Sequence, residues 1–345
     1  MSKLHRKISY GNEIFIVDGM WRTGKSLLGP LIGSLEGVQK PKIDYNFEWL
    51  CVLNSLGSLS LNDSALMLQM HADLCTHNNY LGREINLRPK DESGILKNPR
   101  PLRNFLNIFR SDKEEVQNEI LKSKPSLMII SHSIFQVAEP LLSAYGERLK
   151  ITLVERNPVY YLSQWSEYLP MVGEDPRELE ITKENGNIPW FILDEHELEY
   201  KNSSEMDKAL IMLRCLIKMK DNIISKNLFD ESNLKIIPYE SLVYCPEEWM
   251  KEVSQFLNKS GQSDALKFQK QLNLPRKYLL DGIKSETLKE RRGDLSALEI
   301  ENYNSLRQII ESKLSKELKD EFIGYVNEYE RAFKFPRAMP WNNYK

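Results

Sequence analysis

The residues Gly19-Met20-Trp21-Arg22-Thr23-Gly24-Lys25-Ser26 satisfy the pattern G-x-x-x-x-G-K-S. Side chains of these types at this spacing suit an oxyanion: glycines let the backbone approach, successive N–H groups converge on oxygens, and a following helix presents its positive end. Arg22 and Lys25 add charge where a leaving group becomes negative. Two further residues end apolar runs, His132 after Ile129-Ile130-Ser131 and Arg156 after Leu153-Val154-Glu155. A histidine there suits a general base, since its ordinary pKa of about 6.5 leaves neutral imidazole available near pH 7. An arginine there can grip an oxyanion bidentately. The blander alternatives are a plain strand-to-helix turn, a hydrogen-bonded strand-end histidine, and an ion pair of Arg156 with Glu155 or Glu147.

These residues need elements to position them. Short apolar runs at Glu13–Asp18, Leu127–Ser131, Lys150–Glu155 and Leu234–Pro238 read as buried parallel strands. Helical patterns lie between them, at Lys25–Leu35, Leu61–His77, Lys113–Lys122, Ala138–Glu147 and Ser204–Lys226, the last with Ser203 or Ser204 as N-cap. Strands alternating with helices predict an α/β fold of three layers, a central parallel sheet flanked by helices. Residues 1–345 read as a single domain, and the long, weakly periodic stretches 78–112 and 167–202 are expected to be acceptor-binding insertions. From about residue 245 the chain reads as charged amphipathic helices ending in a tail with Pro and Trp.

Composition narrows the function. With 345 residues and 41% hydrophobic content the chain can bury a substantial core. Lys plus Arg total 47 against 49 acids, a net charge of −2, which gives no global electrostatic case for nucleic acid. Cys51, Cys75, Cys215 and Cys245 form no CxxC pair and read as reduced core thiols. The apolar run after the basic start is too short for a signal peptide, and no stretch of about 18 apolar residues predicts a membrane span. A cytoplasmic protein fits best. Oligomeric state is not legible.

The strand ends separate two nucleotide chemistries. Magnesium-dependent nucleotide hydrolases add a second strand ending in Asp, whereas the later strands here end in Ser131-His132 and Glu155-Arg156. In this respect the sequence resembles the sulfotransferases that use 3′-phosphoadenosine 5′-phosphosulfate. Arg22-Thr23-Gly24-Lys25-Ser26 looks like that family's loop for the 5′-phosphosulfate, with Arg22 matching its catalytic Lys or Arg and Lys25 standing where Thr is usual. Pro125 through His132, a helix, and Ile151 through Pro158 resemble the strand ending in Lys-Thr-His and the strand after it, so His132 matches the general base and Ile130 replaces a Lys. Arg156 and Ser163 resemble the Arg…Ser signature for the 3′-phosphate, although the usual separation is one residue longer and falls on Gln164. Lys235 through Leu242, with the later Phe256-Leu257, looks like a structural strand and helix of the family. Arg291-Arg292-Gly293 is similar to its late basic-Gly segment over the 3′-phosphate. The resemblance samples residues 13–36, 125–165 and 234–294.

What this implies is a P-loop-type fold and direct in-line transfer of a sulfuryl group to a hydroxyl or amine of a carbohydrate or small-molecule acceptor. His132, Arg22 and Lys25 would be catalytic. Arg22, Thr23, Gly24, Lys25, Ser26, Arg156, Ser163, Arg291, Arg292 and Gly293 would bind the donor, and no metal is required. The alternatives are an ATP-dependent phosphotransferase and a non-catalytic nucleotide-binding protein. His71, Cys75 and His77 make a poor metal site, since on a helix His77 lies off the face that the other two share. Asp194-Glu195-His196-Glu197 lacks the second histidine of a zinc protease helix and reads as a solvated charged turn. Arg83, Arg88, Arg100 and Arg103 would serve either an anionic acceptor or a solvent-facing loop.

Overall fold

A computed structural model describes residues 4–89, 94–97, 99–110, 114–176, 179–183, 188–276, 279 and 295–333. Its strands are β1 Ile14–Asp18, β2 Lys42–Ile43, β3 Leu127–Ile130, β4 Leu149–Glu155, β5 Thr182–Lys183, β6 Ile188–Pro189 and β7 Leu234–Pro238. Five of them form one parallel sheet in the order β2-β3-β1-β4-β7, and β5 and β6 form a small antiparallel pair. Every residue of β1 and β3 is buried, which is why these runs are apolar throughout rather than alternating.

The helices are α1 Lys25–Gly33, α2 Tyr45–Ser55, α3 Leu61–Leu81, α4 Pro101–Leu106, α5 Glu114–Ser123, α6 Glu139–Tyr145 and α7 Leu162–Tyr168. They continue as α8 Glu197–Lys201, α9 Glu205–Ser225, α10 Tyr239–Tyr244, α11 Pro246–Phe256, α12 Gln262–Gln271, α13 Leu295–Lys313 and α14 Lys316–Ala332. The fold is α/β, with the parallel sheet between helices, as the alternating pattern predicts. α1 packs against β1 and β3 and carries α11 and α12 on it, α11 also meeting β7, while α3 and α6, with α2 packed on both, cover β3 and β4. Among the described residues no helix is long and apolar enough to cross a membrane. All four cysteines are buried and unbridged.

The expected strands and helices fall within a few residues of the observed ones, and Ser204 is the N-cap of α9, its hydroxyl accepting from Asp207 N at 3.2 Å. The sequence reading did not find β2 or α2. β2 is two residues long and pairs with Ile129 and Ile130, too short to show a period. α2 is capped by Asp44, whose carboxylate accepts from Asn46 N at 3.1 Å.

Candidate active site

The order of the sheet sets the site, because β1 lies between β3 and β4 and the loop after it meets the ends of both neighbours. Gly19 lies so close to β4 that an added Cβ would stand 2.4 Å from the Val154 carbonyl oxygen. Gly24 begins α1 with φ +99°, and a Cβ there would lie 2.1 Å from the ring of Tyr239 at the start of α10. Both glycines of the loop are therefore fixed by sterics. Arg22 holds φ +66°, a left-handed conformation uncommon outside glycine, and its side chain is exposed.

Lys25 folds inward. It is 5% exposed, and its ammonium donates to the Met20 carbonyl at 2.5 Å, which also accepts from the Thr23 hydroxyl at 2.9 Å. Burial lowers its pKa to about 8 against the opposing pull of Asp18 and Glu48. Ser26 is exposed in the first turn of α1.

His132 is held by a turn that Asp18 organises. The buried Asp18 carboxylate accepts from the Ser131 hydroxyl at 2.9 Å, Ile134 N at 3.2 Å and Phe135 N at 2.8 Å. The amide of Ser133, at φ +54°, donates to the Gly19 carbonyl at 3.1 Å. The imidazole emerges from this turn between two rings, 6.4 Å from Trp21 at 18° and 6.0 Å from Tyr45 at 14°. Glu48 of α2 reaches the same turn: its Oε1 accepts from His132 N at 2.8 Å and lies 3.2 Å from His132 Nδ1. Burial pushes the Glu48 carboxyl up to about 8, with the His132 amide pulling the other way. Glu48 was invisible to motif reasoning, since it lies in the segment that resembles nothing. The signal that could have found it is Asp44 as N-cap followed by Phe47, Leu50 and Cys51 at helical spacing.

Trp21 continues the aromatic wall into the 167–202 stretch. Its ring is 5.2 Å from Phe191 and 6.2 Å from Trp165 and Tyr168, and Trp165 Nε1 donates to its carbonyl at 3.0 Å. Trp49 of α2 donates to the Leu179 carbonyl at 3.0 Å, tying this stretch to the helix that carries Glu48. The 78–112 stretch lies elsewhere, with Arg100 donating to the carbonyls of Ser34 and Leu35 at the far end of α1.

Arg156 sits on the other flank of the loop. Its guanidinium donates to the Arg22 carbonyl and the Leu279 carbonyl, both at 2.9 Å, and stacks 4.3 Å from the Tyr239 ring centroid. Its Nε is buried with no hydrogen-bond partner among the described residues. The ion pair with Glu155 does not form, because Glu155 binds Lys220 at 2.8 Å. A cavity of about 140 Å³ lies between the loop, the end of β4, α9 and α14, lined by Gly19, Thr23, Arg156, Tyr161 and Gln136. Both amide atoms of Gln136 are buried and lack hydrogen-bond partners among the described residues.

The other singled-out residues fall as follows. Ser163 is half-buried in the first turn of α7 and Gln164 is exposed. Arg291, Arg292 and Gly293 lie outside the described residues, as does the tail from 334, and of Arg103 only the backbone is described. His71 and Cys75 share a face of α3 as their spacing requires, and they meet Asp44, with His71 Nε2 at 2.9 Å and Cys75 Sγ at 3.4 Å from its Oδ2. The Lys42 ammonium, 2.9 Å from the same oxygen, already supplies that cluster with a cation. His77 instead bonds Tyr10 at 2.8 Å. Asp194 and Glu197 both bind Lys183, at 2.7 and 2.9 Å, so the charged turn is ion-paired rather than simply solvated.

No family model and no curated protein sequence matches this chain. Among solved structures, the sulfotransferase domain from the curacin biosynthetic pathway aligns over 96% of this chain and 100% of its own at 13% identity, with a TM-score of 0.47. The sulfotransferase domain from the Synechococcus PCC 7002 olefin synthase aligns over 97% and 99% at 13% identity, TM-score 0.44. Sulfotransferase STF9 from Mycobacterium avium aligns over 95% of this chain and 78% of its own at 14% identity, TM-score 0.43. All three are sulfotransferases, the family that the loop and strand-end residues of this chain resemble.

Proposed function

We propose that this protein is a sulfotransferase that moves a sulfuryl group from 3′-phosphoadenosine 5′-phosphosulfate to a hydroxyl or amine of a carbohydrate or small-molecule acceptor. The observation that carries the reading is the pairing of His132 with Glu48 beside the Gly19–Ser26 loop. An acid committed to magnesium would be expected near this loop in a phosphotransferase. The nearest strand-end acid, Asp18, is instead engaged by Ser131, Ile134 and Phe135.

In this scheme the Nε2 atom of His132 takes the acceptor proton, while the Glu48 carboxyl at Nδ1 and at the His132 amide fixes the ring. Arg22, Lys25 and the loop amides stabilise the negative charge on the bridging oxygen as its bond to sulfur breaks. The donor, when bound, supplies the sulfuryl group. Arg156, with an Nε that lacks a partner among the described residues, and Ser163 hold the 3′-phosphate. Gln136 offers its unpaired amide to the nucleoside portion in the adjoining cavity. The wall formed by Trp21, Tyr168 and Phe191 suits the flat apolar face of a sugar or an aromatic ring.

The test is calorimetry with 3′,5′-adenosine bisphosphate and with ATP plus magnesium, followed by a labelled-sulfate transfer screen read by mass spectrometry. Preference for the bisphosphate and transfer to an extract component are expected. Equal or tighter binding of ATP, with no advantage from the 3′-phosphate, would sink the reading. Donor binding without any transfer would identify a non-catalytic nucleotide-binding protein.

A further inference from the structure

Two basic residues of the 78–112 stretch, Arg100 and Arg110, border a cavity away from the candidate active site. It has a volume of about 120 Å³ and lies where α1 ends and β3 begins, between Gly33 and Pro125. The phosphate loop is at the opposite end of α1, a helix of nine residues and thus about 13 Å long. Lys40, Arg100 and Arg110 line this cavity together with Gln39, Asn79 and Tyr80, and no carboxylate lines it among the described residues.

The state of these groups points to a ligand. The half-buried Lys40 ammonium has no hydrogen-bond or ion-pair partner among the described residues, and burial lowers its pKa. Glu84, which is ion-paired with Lys42, pulls the other way without outweighing the burial, and a partly desolvated cation gains from an anion that joins it. Gln39 is 9% exposed, donates to the Thr76 carbonyl at 3.0 Å, and leaves its Oε1 buried without a hydrogen-bond partner among the described residues. That oxygen calls for a donor, such as the hydroxyl of monohydrogen phosphate or of the alcohol part of an ester. Arg110 is oriented by stacking 4.6 Å over the Tyr80 ring and by Glu119 at 3.0 Å, and Arg100 by the carbonyls that end α1. Two guanidinium groups held in place and one unpaired ammonium converge on one cavity.

We propose that this cavity is a second anion site, separate from the phosphate loop, for a tetrahedral oxyanion: sulfate or phosphate, free or as the head of a small ester. An occupant there would compensate Lys40 and fasten Arg100 against the C-terminal end of α1, the helix whose other end is the phosphate loop.

Hydrogen–deuterium exchange with sodium sulfate, against sodium chloride at equal ionic strength, tests this independently of any transfer activity. The expected result is sulfate-dependent protection in two places, residues 19–26 and residues 37–40 with 99–110. Lys40→Met should remove the second and leave the first, with at least a tenfold loss of affinity at the second site. Arg110→Gln, at an exposed position, gives the same answer if Lys40→Met fails to fold. A parallel titration with glycerol phosphate separates the sources: tighter protection than by sulfate identifies an ester, equal or weaker protection the free ion. Protection confined to residues 19–26, or protection of 99–110 that survives both substitutions, overturns the proposal.

Discussion

Glu48 Oε1 meets His132 twice, at its backbone amide, 2.8 Å away, and at its ring Nδ1, 3.2 Å away, so one buried carboxyl fixes both the turn and the imidazole on it. Removing the ring should separate binding from chemistry. His132→Ala is expected to lower sulfuryl transfer by about 10²- to 10⁴-fold, the usual worth of a general base. Calorimetry should show that 3′,5′-adenosine bisphosphate still binds. Equal loss of both would make His132 a structural residue.

Glu48 also predicts a pH dependence of stability. Its folded pKa, about 8, is raised above the ordinary 4.5, so between those values the folded state holds a proton that the unfolded state has lost. Stability from this group therefore falls as pH rises from about 4.5 to about 8. Glu48→Gln removes the proton exchange, and its stability relative to wild type should rise across that window by on the order of 4 kcal/mol. Denaturant midpoints of both proteins at pH 5 and pH 8 give the measurement; parallel pH profiles would refute the assignment.

Lys25 is shifted the other way, to about 8 from 10.5, by burial. An anion bound in the loop raises that value again, so near pH 8 to 9 binding should take up a proton. The heat of bisphosphate binding should then vary with the ionisation enthalpy of the buffer, and Lys25→Met should abolish that variation. Buffer-independent heats in wild type would show that Lys25 stays on the Met20 carbonyl when the anion arrives.

Gly24→Ala places a methyl group into the Tyr239 ring at a position with φ +99°. Strain of this kind costs about 1–3 kcal/mol. A lowered Tm and loss of nucleotide binding are both expected. Shortening Tyr239 to Ala in the same chain should recover part of the Tm, because it removes the clash but not the φ penalty.

Arg156→Ala should erase discrimination rather than binding as a whole. Wild type is expected to favour 3′,5′-adenosine bisphosphate over 5′-AMP, and the variant to bind both alike, losing about ten- to a hundredfold for the bisphosphate, as charge-assisted hydrogen bonds of 1.5–3 kcal/mol imply. An undiminished preference would move the 3′-phosphate away from Arg156.

The sheet was legible because β1 and β3 are apolar runs buried along their length, β4 nearly so, and β7 a short apolar run at the sheet edge, a pattern that a covered parallel sheet requires. The loop was legible because its pattern needs a strand before it and a helix after it, and both are there. Glu48 was not, because a partner across space leaves no spacing in the sequence: it lies in a helix of mixed aromatic and aliphatic residues and becomes meaningful only when α2 is laid beside the turn after β3. Nor could spacing divide the two long stretches. Both are irregular and polar, and only the packing of Trp49 on Leu179 and of Arg100 on Ser34 and Leu35 sends them to opposite ends of α1.

The fit of Gly24 against Tyr239, with Arg156 stacked over the same ring, also bears on the order of events during synthesis. The phosphate loop leaves the ribosome before the ring that walls it, which stands at the start of α10, just after the last strand of the sheet. A nascent chain that ends before β7 has the loop sequence and not the loop's shape. The wall of the loop is therefore complete only once Tyr239 has been made.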